Sequence, residues 1–278
     1  MIRKIFLVDA FADGPFTGAS TSVAFLKSPL EKYKMSSLAA ELGSQETAFV
    51  LATNESYLLR FFSQTQEVPL SIHACLAAAH LIYELGLYPP SKPLKFHTQE
   101  GQVAATLSAT VGNMTLTTSS QLLTKLDQAR LEQFRALAGL GAKDVAWAAL
   151  SPQKVAILSL EKSELVEKAE IDLAGLLKTP VQGLALTSPL TSADGDYCLR
   201  TFLPAIGVSE EEVSGNIHRS LAPQWGRLLQ KKTLVCRQLS KRRGLVYLDL
   251  INPNQVTFNG QAKTFLKGEL AQLDWLND

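Results

Sequence analysis

Short apolar blocks separated by single glycines and polar turns run through the first hundred residues of this chain. Ile2 to Phe11, Thr21 to Leu26, Thr47 to Ala52 and Tyr57 to Phe62 have the length and the β-branched and aromatic content of strands. Ser36 to Leu42 predicts a short helix opened by serine and closed by Gly43, with the loop Ser44-Gln45-Glu46 after it. His73 to Leu85 predicts a second helix ending at Gly86. Leu76, Ala77, Ala79, Leu81, Ile82 and Leu85 cover its whole circumference, so it is expected to be enclosed by sheet. Val103 to Leu107 and Asn113 to Thr117 predict a hairpin turning at Gly112-Asn113, and the polar segment Thr118 to Thr124 predicts a linker.

The second half repeats the order of elements. Helices are expected at Gln128 to Ala138, Ile171 to Leu177 and Asn216 to Leu229, and strands at Val145 to Leu150, Val155 to Leu160, Gly183 to Thr187, Tyr197 to Phe202 and from Thr233 to Phe265. The spacing Glu67-Val68-x4-His73-x2-Leu76-Ala77 recurs as Glu212-Val213-x4-His218-x2-Leu221-Ala222, and Arg60-Phe61-Phe62 upstream matches Arg200-Thr201-Phe202. The chain therefore reads as an α/β pseudo-repeat of two lobes, 1–118 and 119–267, with the tail from about 268 to 278 expected to pack back on the first. Each copy places a loop before a buried helix. Two helix starts facing a common cleft would present unpaired N–H groups and partial positive charge, which suits a carboxylate.

Composition narrows the function. With 278 residues, 46% hydrophobic, 19% charged and a net charge of +1, the chain is a globular protein without an overall electrostatic demand on a partner. Cys75, Cys198 and Cys236 are scattered and form no C-x-x-C pair, so a cytoplasmic protein without disulfides or zinc is expected. The apolar run Ile5 to Val8 is too short for a secretory signal, and no run reaches the length of a membrane helix. Phosphate-loop, dinucleotide, nucleophile-elbow and zinc-protease motifs are missing. The basic stretch Arg219 to Arg243 contains no acidic residue and reads as a solvated face balanced by Glu161 to Asp172; its few aromatic residues argue against single-stranded nucleic acid.

Three segments carry a resemblance. They are Asp9-Ala-Phe-x3-Pro15-Phe16-Thr-Gly18; Ser44-Gln-Glu46-Thr-Ala-Phe-Val50 with Phe62-x2-Thr65-Gln-Glu67-Val-x-Leu70-x2-His73-Ala-x-Leu-Ala-Ala-Ala-His80; and Gly207-Val-x-Glu210-x2-Val-x-Gly215-x2-His218-x2-Leu-Ala-Pro223. Together they resemble the phenazine-biosynthesis PhzF-like family, whose fold is that of diaminopimelate epimerase. The resemblance implies two lobes, each a mostly antiparallel sheet wrapped around a central helix. It also implies a site in the cleft between the lobes, a homodimer, and neither metal nor organic cofactor.

The resemblance makes Glu46 the general acid/base that moves a proton on a small carboxylate-bearing substrate, a task suited to a carboxyl group in a poorly hydrated place. His73 is then a cleft histidine that binds substrate or orients the proton, and Glu211 a second carboxylate. Backbone and side-chain groups at Gly18, Ile72, Ala74, Gly215 and Asn216 are expected to hold the substrate. This chain departs from the family pattern at several of these points. Gly18-Ala19-Ser20 stands for Gly-Asn-Pro, Pro69-Leu70-Ser71-Ile72 for Asp-x-x-Gly, Glu211 for aspartate and Asn216 for serine. The expected activity is therefore a cofactor-independent isomerase or epimerase with a pocket of its own, and the alternative is a non-catalytic small-anion-binding protein on the same fold. Racemisation by two thiols is disfavoured, since none of the cysteines falls at the required positions.

Overall fold

The computed structural model describes residues 4–108, 113–191 and 195–270. The described residues form a mixed α/β protein of two compact units, one running to Thr118 and resuming at Thr257, the other Ser119–Val256. The segment 257–267, expected in the second lobe, thus belongs to the first. The reason is pairing: strand β16 (Gln255–Glu269) runs antiparallel to β1 (Lys4–Ala10), from Ala10↔Ala262 to Lys4↔Glu269. The expected turn at Gly112-Asn113 and the end of the tail, 271–278, lie outside the described residues.

In the first unit the chain continues through β2 (Ala19–Leu26), α1 (Lys32–Leu42), β3 (Glu46–Ala52), β4 (Tyr57–Phe62), β5 (Glu67–Val68), α2 (Ile72–Glu84), β6 (Leu94–Thr98), β7 (Gly101–Leu107) and β8 (Asn113–Ser119). The pairing order β1-β2-β3-β4-β6-β7-β8-β16 returns to β1, so the sheet closes on itself. Helix α2 packs on β1, β2, β3 and β7, and every residue from Ile72 to Ile82 except His80 is buried. An apolar helix with no polar face needs such an enclosure. Its start is set by Ser71, whose Oγ accepts from the Ala74 N–H at 3.3 Å. Helix α1 begins a turn earlier than expected, at Lys32, without a side-chain cap. Its apolar face, Met35, Leu38, Ala39 and Leu42, packs against Phe49 and Phe62 and starts ahead of the serines, so burial and not capping sets that end. Gly43 closes the helix at φ 67°, as expected.

The second unit contains β9 (Thr124–Lys125), α3 (Gln128–Leu137), β10 (Val145–Leu150), β11 (Val155–Leu160), α4 (Ser163–Lys168), α5 (Leu173–Leu176), β12 (Gly183–Pro189), β13 (Tyr197–Phe202), α6 (His218–Leu229), β14 (Thr233–Gln238) and β15 (Gly244–Asn252), with the strands paired in that order. The expected helix from Ile171 to Leu177 is one short turn opened by Asp172, whose Oδ1 accepts from the Gly175 N–H at 2.8 Å. Before it, α4 comes from a segment read only as acidic surface.

The two units share one pairing pattern. From β1 to β7 the ladders run antiparallel, parallel, antiparallel, parallel, antiparallel, and from β10 to β15 they do the same. Each unit also holds the same two-pronged ion pair. Arg60 Nε donates to Glu67 Oε1 at 2.6 Å, Arg200 Nε donates to Glu210 Oε1 at 2.6 Å, and each guanidinium lies over a phenylalanine, Phe62 or Phe202. Arg200 also donates to the carbonyls of Val166, Glu167 and Ala169, tying down the end of α4.

These pairs correct the repeat. The partner of Glu67 in the second copy is Glu210, two residues ahead of the Glu212 that spacing suggested, because Glu212 instead meets Arg242. Counting six residues on from each glutamate, His73 corresponds to Asn216 and not to His218. The strand registers agree. Phe62 pairs with Thr47 and Phe202 with Leu184, so Glu46 corresponds to Gly183. A side chain cannot stand at Gly183, where a Cβ would come within 2.0 Å of the Phe202 carbonyl oxygen and 2.6 Å of Leu203 Cδ2. Gly183→Ala is therefore expected to destabilise the protein by about 1–3 kcal/mol, the usual range for overpacking, as read from the urea unfolding midpoint. An unchanged midpoint would show that the strand yields.

Candidate functional site

Glu46 is the first residue of β3. The turn before it is held by Ser44, whose Oγ donates to the Glu46 carbonyl at 3.0 Å and lies 3.3 Å from the Ser22 N–H. In the parallel ladder of β2 and β3 the Cα partner of Glu46 is Thr21. Its side chain points to the α2 face of the sheet, and there it meets the second residue of that helix: His73 Nε2 lies 3.1 Å from Glu46 Oε2. Both side chains are buried, at 2% and 3% exposure. The two meet as opposed charges whenever the imidazole is protonated, without the alignment of a hydrogen bond. Close attraction of this sort in a poorly hydrated place is strong.

Around this pair the first turn of α2 is closed. Ile72 and Ala74 are buried, and the Ala74 N–H is engaged by Ser71 Oγ. The Ala74 amide, expected among the substrate-holding groups, completes the helix cap in this structure. Gly18 stands between β1 and β2 at φ 81°, where a Cβ would come 2.5 Å from the Ala10 carbonyl oxygen and 2.8 Å from Ala12 N. That backbone crowding explains its glycine without any ligand.

The second unit carries the other expected residues. Glu211 is buried; its N–H donates to the Thr201 carbonyl at 2.8 Å and its carboxylate accepts from Ser214 Oγ. Gly215 is buried, Asn216 is partly so, and together they form a tight opening turn in which the His218 N–H donates to the Gly215 carbonyl at 3.2 Å and the Arg219 N–H to the Asn216 carbonyl at 3.1 Å. The regular helix therefore starts at His218, two residues later than expected.

Several features were not visible in the sequence. Tyr197, His218 and Gln238 form a fully buried polar chain, with Tyr197 Oη 2.7 Å from His218 Nδ1 and Gln238 Nε2 3.4 Å from His218 Nε2. These residues are far apart in sequence and each looks like an ordinary core or strand position. The Thr21 hydroxyl, beside Glu46, is hidden in the run Ser20-Thr21-Ser22. Part of the basic stretch is engaged: Arg219 is buried and donates to the Ser119 carbonyl at 3.1 Å, Lys231 meets Asp196, and Arg243 meets Glu167 from the acidic segment expected to balance it.

Taken together, strand-rich sheets and a helix enclosed by them, with a buried carboxylate–imidazole pair at that helix's start, define a mixed α/β protein. A probable proline racemase from Agrobacterium radiobacter shares the fold at a TM-score of 0.64 over 97% of this chain and 93% of that one, at 11% identity. The family is narrower. The PhzC-PhzF model, phenazine biosynthesis-like protein, matches residues 8–268, and the chain belongs to that family. A PhzF-family protein from Enterococcus faecalis superposes at a TM-score of 0.86, covering 98% of this chain and all 100% of that one at 29% identity. A Pseudomonas aeruginosa protein named an uncharacterized isomerase is 33% identical over 263 residues, 95% of this chain and 96% of its own. Among the described residues no helix is long and apolar enough to cross a membrane.

The buried chain in the second unit makes stability depend on pH. Burial pushes the His218 imidazole down to about 3, so the folded protein holds it neutral. An unfolded histidine takes up a proton near pH 6.5, so protons favour the unfolded state below that value. The contribution of neutral His218 is complete above about pH 6.5 and is lost as pH falls toward 3, with a slope approaching about 1.4 kcal/mol per pH unit. Urea unfolding of the wild type and His218→Gln at pH 7.5 and pH 4.5 checks this: the stability difference between them narrows at the lower pH. A constant difference would show that folding leaves the His218 pKa unchanged.

Proposed function

We propose that the protein is a cofactor-independent isomerase that moves a proton on a small carboxylic acid, with Glu46 as the general acid/base. The observation that carries the reading is the buried contact of 3.1 Å between Glu46 Oε2 and His73 Nε2, on a chain whose relatives include a protein named as an isomerase. The Glu46 carboxylate takes a proton from a C–H bond next to a conjugated or carboxyl group, and the electron pair passes into that group as an enolate. The resulting carboxylic acid then returns the proton to another carbon of the conjugated system, so that a double bond shifts and nothing else is consumed. His73 faces the carboxylate throughout and steadies whichever of its forms is charged. In the second unit, Glu211, whose carboxylate accepts from Ser214 Oγ, and Asn216, whose amide stands where the family pattern has a hydroxyl, are that unit's candidate polar groups. The homodimer and the cytoplasmic setting implied by the resemblance belong to the same reading.

Solvent exchange tests the role of Glu46. With β,γ-unsaturated and conjugated small acids in heavy water, the wild type is expected to place deuterium at carbon, detected by loss of the proton NMR signal. Glu46→Gln should slow that exchange by a factor of about 10² to 10⁴. Unchanged exchange in Glu46→Gln would remove the assignment, and binding of the acids without any exchange in the wild type would favour the small-anion-binding protein.

A further inference from the structure

We infer that Thr21 selects the substrate, its hydroxyl binding a hydroxyl or amino substituent on the carbon next to the one that Glu46 deprotonates. The inference rests on the acid/base reading of Glu46 and extends it from a reaction to a substrate class.

Thr21 and Glu46 are Cα partners in a parallel ladder, and partners of that kind project to the same face of the sheet. The Glu46 side chain meets His73 on α2, so Thr21 lies on the α2 face as well. The alternate residues confirm the assignment: Ala24 and Phe49, of opposite parity to Thr21 and Glu46, pack with α1 on the other side. Thr21 is completely buried, and among the described residues its Oγ1 has no hydrogen-bond partner. A hydroxyl deprived of water and of protein partners is a standing cost, of the sort that native interiors avoid. Valine has nearly the same shape and would fill the position without that cost. In the second unit it does: Thr21 pairs with Glu46 as Val155 pairs with Gly183, so the copy lacking the strand-end acid carries valine at the corresponding point. The hydroxyl accompanies the acid.

A threonine hydroxyl has one proton to donate and two lone pairs to accept with. Beside a general base it suits a heteroatom attached to the carbon neighbouring the reacting one. A site built to pair such a group discriminates strongly against the analogue without it, because the hydroxyl of the site is then left unpaired. A purely apolar acid would leave Thr21 as it stands in the empty protein.

The test uses matched acids as probes, 3-hydroxybutyrate against butyrate and serine against alanine, with binding read by thermal shift. Wild type is expected to bind the substituted member of a pair at least about ten-fold more tightly. Thr21→Val should lose that ratio while binding the unsubstituted member as before, Thr21→Ser should keep it, and unliganded Thr21→Val should unfold at the wild-type temperature or above. A wild type that binds both members equally, or neither, overturns the substrate class. So does a Thr21→Val variant that keeps the ratio. A lowered unfolding temperature in Thr21→Val shows that the hydroxyl serves the fold and also overturns the inference. The acid/base reading is judged separately by heavy-water exchange in Glu46→Gln, which leaves the Thr21 ratio intact whether or not that reading holds.

Discussion

Enclosing α2 on all sides is the constraint on which the first unit depends. A helix of Ile72, Ala74, Leu76, Ala77, Leu81 and Ile82 offers no face to water, and the sheet meets this by closing from β16 back onto β1. The closure recruits a strand from the far end of the sequence, which is why the unit is not a continuous stretch of chain. Among residues so thoroughly buried, a histidine near the helix start needs a polar partner. Glu46 supplies it from the first position of β3. Each of the two would be costly alone, since removing one partner of a buried charge pair leaves the other uncompensated at about 3–5 kcal/mol. The buried pair is thus a product of the packing problem, placed where a strand begins and a helix begins.

The repeat shows how far the chemistry is separable from the frame. The pairing pattern, the arginine clamp on a glutamate and the helix after it are common to both copies. The acids are not. Glu46 has Gly183 as its counterpart, where the neighbouring strand leaves no room for a side chain, whereas Glu211 follows its clamp glutamate directly and so corresponds to Val68. His73 likewise faces a counterpart, Asn216, with a different donor and acceptor set. One copy places its carboxylate on a strand end and the other on a loop.

Much of this was legible beforehand. The strands, the glycine-closed helices and the buried character of α2 follow from hydrophobic period and from Gly43 and Gly86, which act locally. Glu46 and His73 could be named through the family resemblance, although the unaided sequence offers only a carboxylate in a turn and a histidine near a helix start. The repeat was detected but aligned two residues out, because Glu212 and His218 mimic the spacing of Glu67 and His73 while the contacts belong to Glu210 and Asn216. Spacing along the chain is blind to which glutamate an arginine reaches. The same limit hid Thr21, the Tyr197–His218–Gln238 chain and the return of β16, all of which depend on residues brought together from distant parts of the sequence. The engagement of the Ala74 amide by Ser71 is local and could have been signalled, since a serine before a helix claims an amide of the first turn.

The arginine clamp, present in both copies with the same 2.6 Å contact, bears on how such a protein can change. It anchors the entry to each helix independently of whichever acid or amide stands a few residues away. Substitutions at those neighbouring positions therefore leave the scaffold's own fastening in place. The fold can exchange one reactive side chain for another, or lose it, and still present an ordered cradle, so a lineage built on it is free to explore new reactions one residue at a time.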